Sequence, residues 1–466
     1  MIRVFNNLFN IKSGFTALLL TSILIFSGCT GDEPAFDSRY NAVGYLKEDI
    51  YNKFIEQTIS AENDSNYFEI RNEDVSNMNL IFDVSFGLKE GFEAAYDAYI
   101  KPISSFYSDQ ATYYECGQKN DISPYKGTAD EVFYHFKDPG SYGGSVSLIE
   151  SGLAKAVENN NMVSIFYTDF LFDDGSKAYE EKNVNGQLKK ISNKLTMPWG
   201  DSYFTKWFSE GNRIHIHSIS YEDRGFTRNY YAIYFVPKNS NFEENTVIQN
   251  LFSAYSPITI DPIGLKMESS EMIEKIVSND FKSMKNQFNK SIDEQSYAVL
   301  SIEYNKALKD DLENVDLGQL QLVNKSPWNI STQVAEINFT KDLKDQVGCK
   351  AKFKEQKVDF YDLDNNYGVK FVKPTGFNSL TYVNNEFFAV RYDISISEID
   401  NNVNVVDYDR LKCNVKPDNQ STEFLNESLA VSVKDGLEKS KESVLSLLSD
   451  HPLFKLYTLS SIKKKE

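Results

Sequence analysis

The sequence predicts an α/β doubly wound domain followed by a β-rich, sandwich-like C-terminal domain, and three observations predict it. Two short, unbroken apolar runs, Leu80-Ile81-Phe82 and Met162 to Tyr167, have the length and composition of strands covered on both faces. Between residues 78 and 237 such runs alternate with segments whose apolar residues recur at helical spacing, as a parallel sheet with crossover helices requires. After Tyr297 that alternation gives way to short strand-like runs separated by Asn, Asp and Gly clusters.

At the N-terminus, Arg3 and Lys12 are followed by the apolar run Phe15 to Phe26 and then by Ser27-Gly28-Cys29. A basic start, a short apolar core and small residues before a cut read as an export signal, residues 1–28. The run is too short for a membrane-spanning helix. Cys29 directly after the small residues resembles the lipobox of bacterial lipoproteins, with Phe26 where that family prefers Leu. The resemblance implies that Cys29 is the lipidated first residue of an outer-membrane lipoprotein in the bacterial cell envelope. Asp32-Glu33 resembles the acidic signals that carry some lipoproteins to the outer surface.

Residues 29–77 read as a polar tether and an amphipathic helix carrying Leu46, Ile50, Phe54, Ile55 and Ile59. The α/β domain, 78–240, opens with the strand at Leu80 and a helix presenting Leu88, Phe92, Ala95, Tyr96, Tyr99 and Ile100. Ala111 to Cys116 is a second strand. A glycine-rich loop, Pro139 to Ser145, leads into a helix that buries Leu148, Ile149, Leu153, Ala154 and Val157. The strand ending at Tyr167, a polar excursion over 173–196, and a helix with Tyr203, Phe204, Trp207 and Phe208 follow. Asp201-Ser202 suits the N-cap of that helix. Two strands, Arg213 to Ser220 and Tyr230 to Val236, complete the domain. Residues 241–295 are predicted to be a helical connector, on the spacing of Met272 to Phe288. Residues 296–466 form the β-rich domain, closed by a helix from Leu437 to Leu448 and a solvated tail from Lys463.

Composition limits the partners. The chain has 466 residues, 14% aromatic and 25% charged, enough to bury large cores in more than one domain. Its net charge of −18 repels nucleic-acid phosphates, so no nucleic-acid partner is expected. Besides Cys29 there are Cys116, Cys349 and Cys413, an odd number; Cys349 and Cys413 share the β-rich half and are the expected disulfide, with Cys116 left free. No Cys/His zinc spacing is present.

The residues that carry chemistry lie at predicted strand ends, where open α/β sheets bind ligands. Asp83 and Ser85 close the first strand, Asp169 closes the strand after the glycine-rich loop, and Ser145 or Ser141 sits on that loop. Carboxylates and hydroxyls from three loops make a hard oxygen site suited to Mg²⁺ or Ca²⁺. Here the chain resembles the von Willebrand factor A (vWA) domain, whose cation motif is Asp-x-Ser-x-Ser, with a Thr or Ser on a second loop and an Asp on a third. Asp83-Val84-Ser85-Phe86-Gly87 matches the first motif except that Gly87 replaces the second serine; Thr168-Asp169 matches the third, followed by Phe170 in place of the usual glycine. The resemblance spans 78–237. It implies a metal site made by Asp83, Ser85, Ser145 and Asp169, a non-enzymatic binding role, and a protein partner whose acidic residue completes the cation's shell. The alternative is a metal-assisted hydrolase of phosphate esters or glycans.

Other signals have plainer readings. His215 and His217 alternate on one strand face, without a third ligand, and read as a partly exposed polar face. No Gly-x-Ser-x-Gly elbow is present, so no hydrolase triad can be assembled and no catalytic residue is assigned. Asp362 to Gly368 lacks the spacing of an EF-hand loop and reads as a turn between strands. Trp199, Trp207 and Trp328 read as core.

Overall fold

The structure is a computed structural model that describes residues 73–85, 87–118, 122–143, 147–171, 179–184, 187–192, 199–223, 226–269, 277–278, 281–283, 287–289, 297–305, 314–338, 357–363, 366–372, 386–402, 405–415, 424–450 and 452–463. Cys29, the 30–72 tether and helix, Ser145 and Cys349 lie outside these residues. Among the described residues no helix is long and apolar enough to cross a membrane.

Strands β1 (Met78–Asp83), β2 (Ala111–Cys116) and β4 (Val163–Thr168) run parallel, and β3 (Ser123–Tyr125) flanks β2 antiparallel. Two strands of a separate hairpin, β5 (Tyr179–Val184) and β6 (Gln187–Ser192), occupy the predicted polar excursion. The main sheet continues through β8 (Phe226–Val236), β7 (Arg213–Asp223) and β9 (Ile258–Ile260), in the order β3-β2-β1-β4-β8-β7-β9. β8 is antiparallel to both β4 and β7. The sheet is therefore mixed, and the doubly wound expectation holds only for its β2-β1-β4 centre. The cause is local: only two residues separate the end of β7 from the start of β8, too few for a crossover helix, and strands so closely joined can only be antiparallel.

Helices cover both faces. On one lie α1 (Lys89–Ala95), a π-helical turn (Tyr96–Ile100), α2 (Lys101–Phe106), α3 (Ala129–Lys137) and α6 (Thr246–Tyr255). Leu80, Phe82, Ile165 and Tyr167 pack there with Phe92, Phe136, Ile248 and Leu251. On the other face, Ile81, Phe166 and Ile233 meet α4 (Glu150–Ala156) through Leu153 and α5 (Gly200–Ser209) through Phe204, Trp207 and Phe208. α5 begins one residue before the predicted cap: Asp201 and Ser202 are inside its first turn, and its N-cap, Trp199, makes no side-chain capping bond.

The C-terminal half is built from sheets that are antiparallel except for the parallel β14–β22 pair. β10 (Leu265–Ser269), β15 (Asn314–Asn324), β17 (Lys357–Asp362) and β18 (Asn366–Val372) form a four-stranded sheet. The larger sheet holds β11 (Val277–Ser278), β12 (Phe281–Ser283), β13 (Gln287–Asn289), β14 (Tyr297–Asn305), β16 (Trp328–Asn338), β19 (Glu386–Asn401) and β22 (Phe454–Lys463). β20 (Cys413–Val415) and β21 (Phe424–Asn426) make a small pair. The predicted helical connector is corrected: 246–255 is helical, but the described residues from 258 to 289 are short strands apart from the turn at 261–264. The closing helix is longer than expected, α7 (Ser428–Ser449); of the predicted tail, Lys463 is the last residue of β22, which inserts between β14 and β19, and 464–466 lie outside the described residues.

His215 and His217 are buried, at 3% and 1% exposure, not partly exposed. His215 Nε2 donates to Glu243 at 2.7 Å and its Nδ1 lies 2.9 Å from Thr259 Oγ1. His217 Nδ1 pairs with the Tyr234 hydroxyl at 3.1 Å, and its ring stacks on Tyr99 of the π turn at 4.8 Å. Burial pushes His217 down to about 3, so it stays neutral. The fully buried Arg213 guanidinium binds both Glu243 oxygens and the carbonyls of Pro237 (2.7 Å), Lys238 (3.1 Å) and Ser240 (2.6 Å). Both nitrogens of His215 are paired and His217 is held through Nδ1 and ring stacking, with its Nε2 buried without a hydrogen bond among the described residues, so the two histidines are parts of the core and not a partly exposed face.

The two halves share a single hydrophobic cluster that runs from Ile81 through Phe204 to Trp328, Val433, Leu437 and Phe454. Within it α7 packs closely on α5, where Gly436 lies against Phe204 and a Cβ at that position would stand 3.0 Å from the Thr205 nitrogen. Gly436→Ala gains about 1 kcal/mol of helix propensity but forces the helices apart, which costs about 1–3 kcal/mol in a packed core. The expected outcome is a lower urea midpoint for residues 30–466; a midpoint equal to or above wild type would show that the two helices can separate freely.

Candidate functional site

The chain leaves β1 for β2 on one side and returns to β4 on the other, and the intervening helices lie on opposite faces: α1 on one, α4 on the other. This is a topological switch point, and the crevice opens beyond the carboxyl ends of β1 and β4. The parallel register pairs Phe82 with Tyr167, so Asp83 and Thr168 emerge side by side at that rim.

Asp83 is 1% exposed. Its Oδ1 accepts from the Ser85 backbone N–H at 3.0 Å and from the Ser85 hydroxyl at 2.5 Å. Its Oδ2 accepts from the Thr168 hydroxyl at 2.8 Å. Ser147 Oγ lies 3.0 Å from Ser85 Oγ; with the Ser85 proton given to Asp83, Ser147 is the donor. Asp169, 5% exposed, accepts the Leu171 N–H at 3.0 Å on its own Oδ1. The loops are also tied by Gln118, whose amide donates to the carbonyls of Val84 (3.1 Å) and Ser141 (2.9 Å). Gly117 makes the approach possible: its φ is +101°, and a Cβ there would overlap Asp83 Oδ1 and Ser85 Oγ.

Of the predicted residues, the structure brings Asp83, Ser85 and Asp169 together. Ser145 lies outside the described residues. Ser141, its alternative, is turned elsewhere: its hydroxyl donates to the His135 carbonyl at 2.7 Å. The loop's contribution at the site is Ser147, which sequence reasoning missed, and Thr168 is a second hydroxyl that it quoted without assigning. The small-residue alternation in Ser145-Val146-Ser147 was the available signal for the first. Gly87, where the vWA pattern has its second serine, has φ +89°, a conformation that L residues rarely adopt. Phe170, where that pattern has glycine, has φ +55° and is fully buried. A bulky residue there costs about 1–2 kcal/mol of backbone strain.

Burial pushes Asp83 up to about 6, against the Ser85 and Thr168 hydrogen bonds. Burial and then the Asp83 charge push Asp169 up to about 7, and Arg228 opposes. Two desolvated carboxylates at one rim repel each other, and a divalent cation relieves both terms at once. The donor set fits such an ion chemically: two carboxylates and three hydroxyls are hard oxygen ligands of the kind Mg²⁺ and Ca²⁺ accept, with water filling the remaining positions. Among the described residues no cluster of three or more His, Cys, Asp or Glu side chains suits a metal, so hydroxyls and water must supply part of any shell. The described histidines are engaged elsewhere, His135 with Glu115 and Ser141. The free Cys116 thiol beneath the site is held protonated by burial and by Asp83. Comparison with family models, with curated proteins and with solved structures finds no match for this chain.

Both aspartates bind protons more tightly in the folded chain than at the ordinary value of 3.8. The stability this protonation contributes is full below pH 3.8 and is lost as pH rises through about 6 and 7. In chelator, the chain's urea midpoint therefore falls from pH 5 to pH 8, and Asp83→Asn flattens that slope. Equal slopes in the two proteins would mean that Asp83 is not the titrating group.

Proposed function

We propose that this chain is a lipid-anchored cell-envelope binding protein whose α/β half, vWA-like at its centre, holds a protein partner through a Mg²⁺ or Ca²⁺ ion. One observation carries the reading: two buried carboxylates, Asp83 and Asp169, stand at the switch-point rim close enough for the charge of the first to act on the second, and hydroxyls from three loops, Ser85, Ser147 and Thr168, gather at Asp83. The β2-β1-β4 order with an antiparallel β3 edge and the match of Asp83, Ser85 and Asp169 to the vWA pattern support it. Asp83, Ser85, Ser147 and Asp169 would hold the ion directly or through water, and Thr168 would fix Asp83. An acidic side chain of the partner then fills an open position. The Ser85 and Thr168 hydroxyls donate to Asp83 and fix that carboxylate, and the described histidines pair elsewhere, so the arrangement favours binding over hydrolysis of phosphate esters or glycans.

Residues 30–466 are expected to melt several degrees higher in millimolar Mg²⁺ or Ca²⁺ than in chelator, and Asp83→Ala to lose that gain. Identical melting with and without cation would leave no cation-dependent role. Turnover of generic phosphate or ester substrates that chelator abolishes would instead establish the hydrolase.

The anchor rests on Cys29. Cells given labelled palmitate are expected to label the wild-type chain and not Cys29→Ala, which should leave the membrane fraction. A Cys29→Ala chain that stays labelled would place the lipid elsewhere.

A further inference from the structure

The Asp169 turn is held at two points that the cation reading does not require, one directly on the C-terminal half and one through α5, on which α7 packs. Asn426, 2% exposed at the end of β21, directs its Nδ2 to the Asp169 carbonyl at 3.5 Å while its Oδ1 accepts the Ser428 N–H at 3.1 Å at the start of α7. Phe170, the next residue, holds a left-handed backbone with its N–H on Thr168 Oγ1 at 2.9 Å. Its buried ring sits 6.2 Å from Phe204 of α5, and Phe204 is the residue on which Gly436 of α7 rests. A strained conformation persists only where its surroundings over-determine it. The surroundings here are α5 and, behind it, α7.

We infer that Phe170 and Asn426 are positioning residues for the cation site, so that the C-terminal half sets the direction of the Asp169 carboxylate. This rests on the cation reading above. The β-rich half is then neither a spacer nor an independent surface. Through α7 and β21 it holds one of the two carboxylates in place, as outer-shell groups hold ligands in metal sites. By linkage, cation binding must also steady α7.

The test uses residues 30–466 in four forms: wild type, Phe170→Gly, Phe170→Leu and Asn426→Ser. Glycine accepts the backbone conformation but removes the anchor, leucine keeps an apolar anchor, and serine can still cap Ser428 but cannot reach Asp169. Mg²⁺ and Ca²⁺ affinities are measured by calorimetry, with melting temperature alongside and amide exchange at Phe170 and Leu171 in chelator. Phe170→Gly and Asn426→Ser are expected to weaken cation binding about 10-fold or more and to speed exchange of those amides, with cooperative melting kept, while Phe170→Leu stays near wild type. Unchanged affinity and unchanged exchange in both weakened variants overturn the inference, and leave the cation reading standing if Asp83→Ala still abolishes binding. If wild type binds neither ion, the cation reading fails. The exchange measurement then decides by itself, faster exchange upholding the hold on the turn and unchanged exchange ending it.

Discussion

The site depends on the burial of Asp83 at the end of β1. A carboxylate taken out of water without partners costs several kcal/mol, and this one survives because three donors surround it. Each donor imposes a constraint on the chain. The Ser85 bonds bend the backbone directly after the strand. The Thr168 bond requires β4 to be the neighbour of β1 and to end at the same level. Gly117 leaves the space in which the Asp83 and Ser85 oxygens stand. The order of the strands, the length of β4 and one glycine on the β2 loop thus follow from a single charge.

Much of the α/β centre was legible in the sequence because parallel strands are buried on both faces and read as unbroken apolar runs. The runs ending at Asp83 and Asp169 gave both the strands and the rim, and the helical spacing of Ile149, Leu153 and Val157 gave α4. What was not legible depends on contacts distant in sequence. Ser147 is the useful hydroxyl only because Leu148 bridges to Gly117, 31 residues earlier, and this turns the loop. His215 and His217 look like an open polar face on β7 alone; Glu243 and Thr259, which bury and bond His215, come from later elements. The β7–β8 hairpin had a signal in Asp223-Arg224-Gly225 between alternating runs, and the doubly wound expectation passed over it. Residues 272–288 show the limit of periodicity in short segments, where helical spacing of a few apolar residues coincides with strands of two or three residues.

The shared cluster changes how the two halves relate. In the sequence, composition shifts near residue 241 and the halves look separable. In the structure α7, near the chain end, packs on α5 of the first half, Trp328 donates to the Pro262 carbonyl at 2.9 Å, and the Tyr231 hydroxyl of β8 donates to Leu411 at 3.1 Å. The face of the main sheet that holds Ile81 and Phe166 is covered by α4 and α5, and α5 is in turn backed by α7, more than 200 positions further along the chain. A displacement of either half is therefore carried into the other through packed side chains, which move less readily than a linker.

Phe170 shows how this arrangement is maintained. A glycine at that position would avoid about 1–2 kcal/mol of strain, but it would free the turn and bury nothing. Burying a phenylalanine ring contributes about 1.5–3 kcal/mol, enough to offset the strain and to fix the turn against α5. The balance is favourable only while the pocket for the ring exists, and the wall of that pocket rests on α7 at Gly436. The conformation next to Asp169 is thus conditional on the docking of the C-terminal helix. A residue that looks like a departure from the glycine of the vWA pattern is the means by which one half of the chain holds the other's carboxylate.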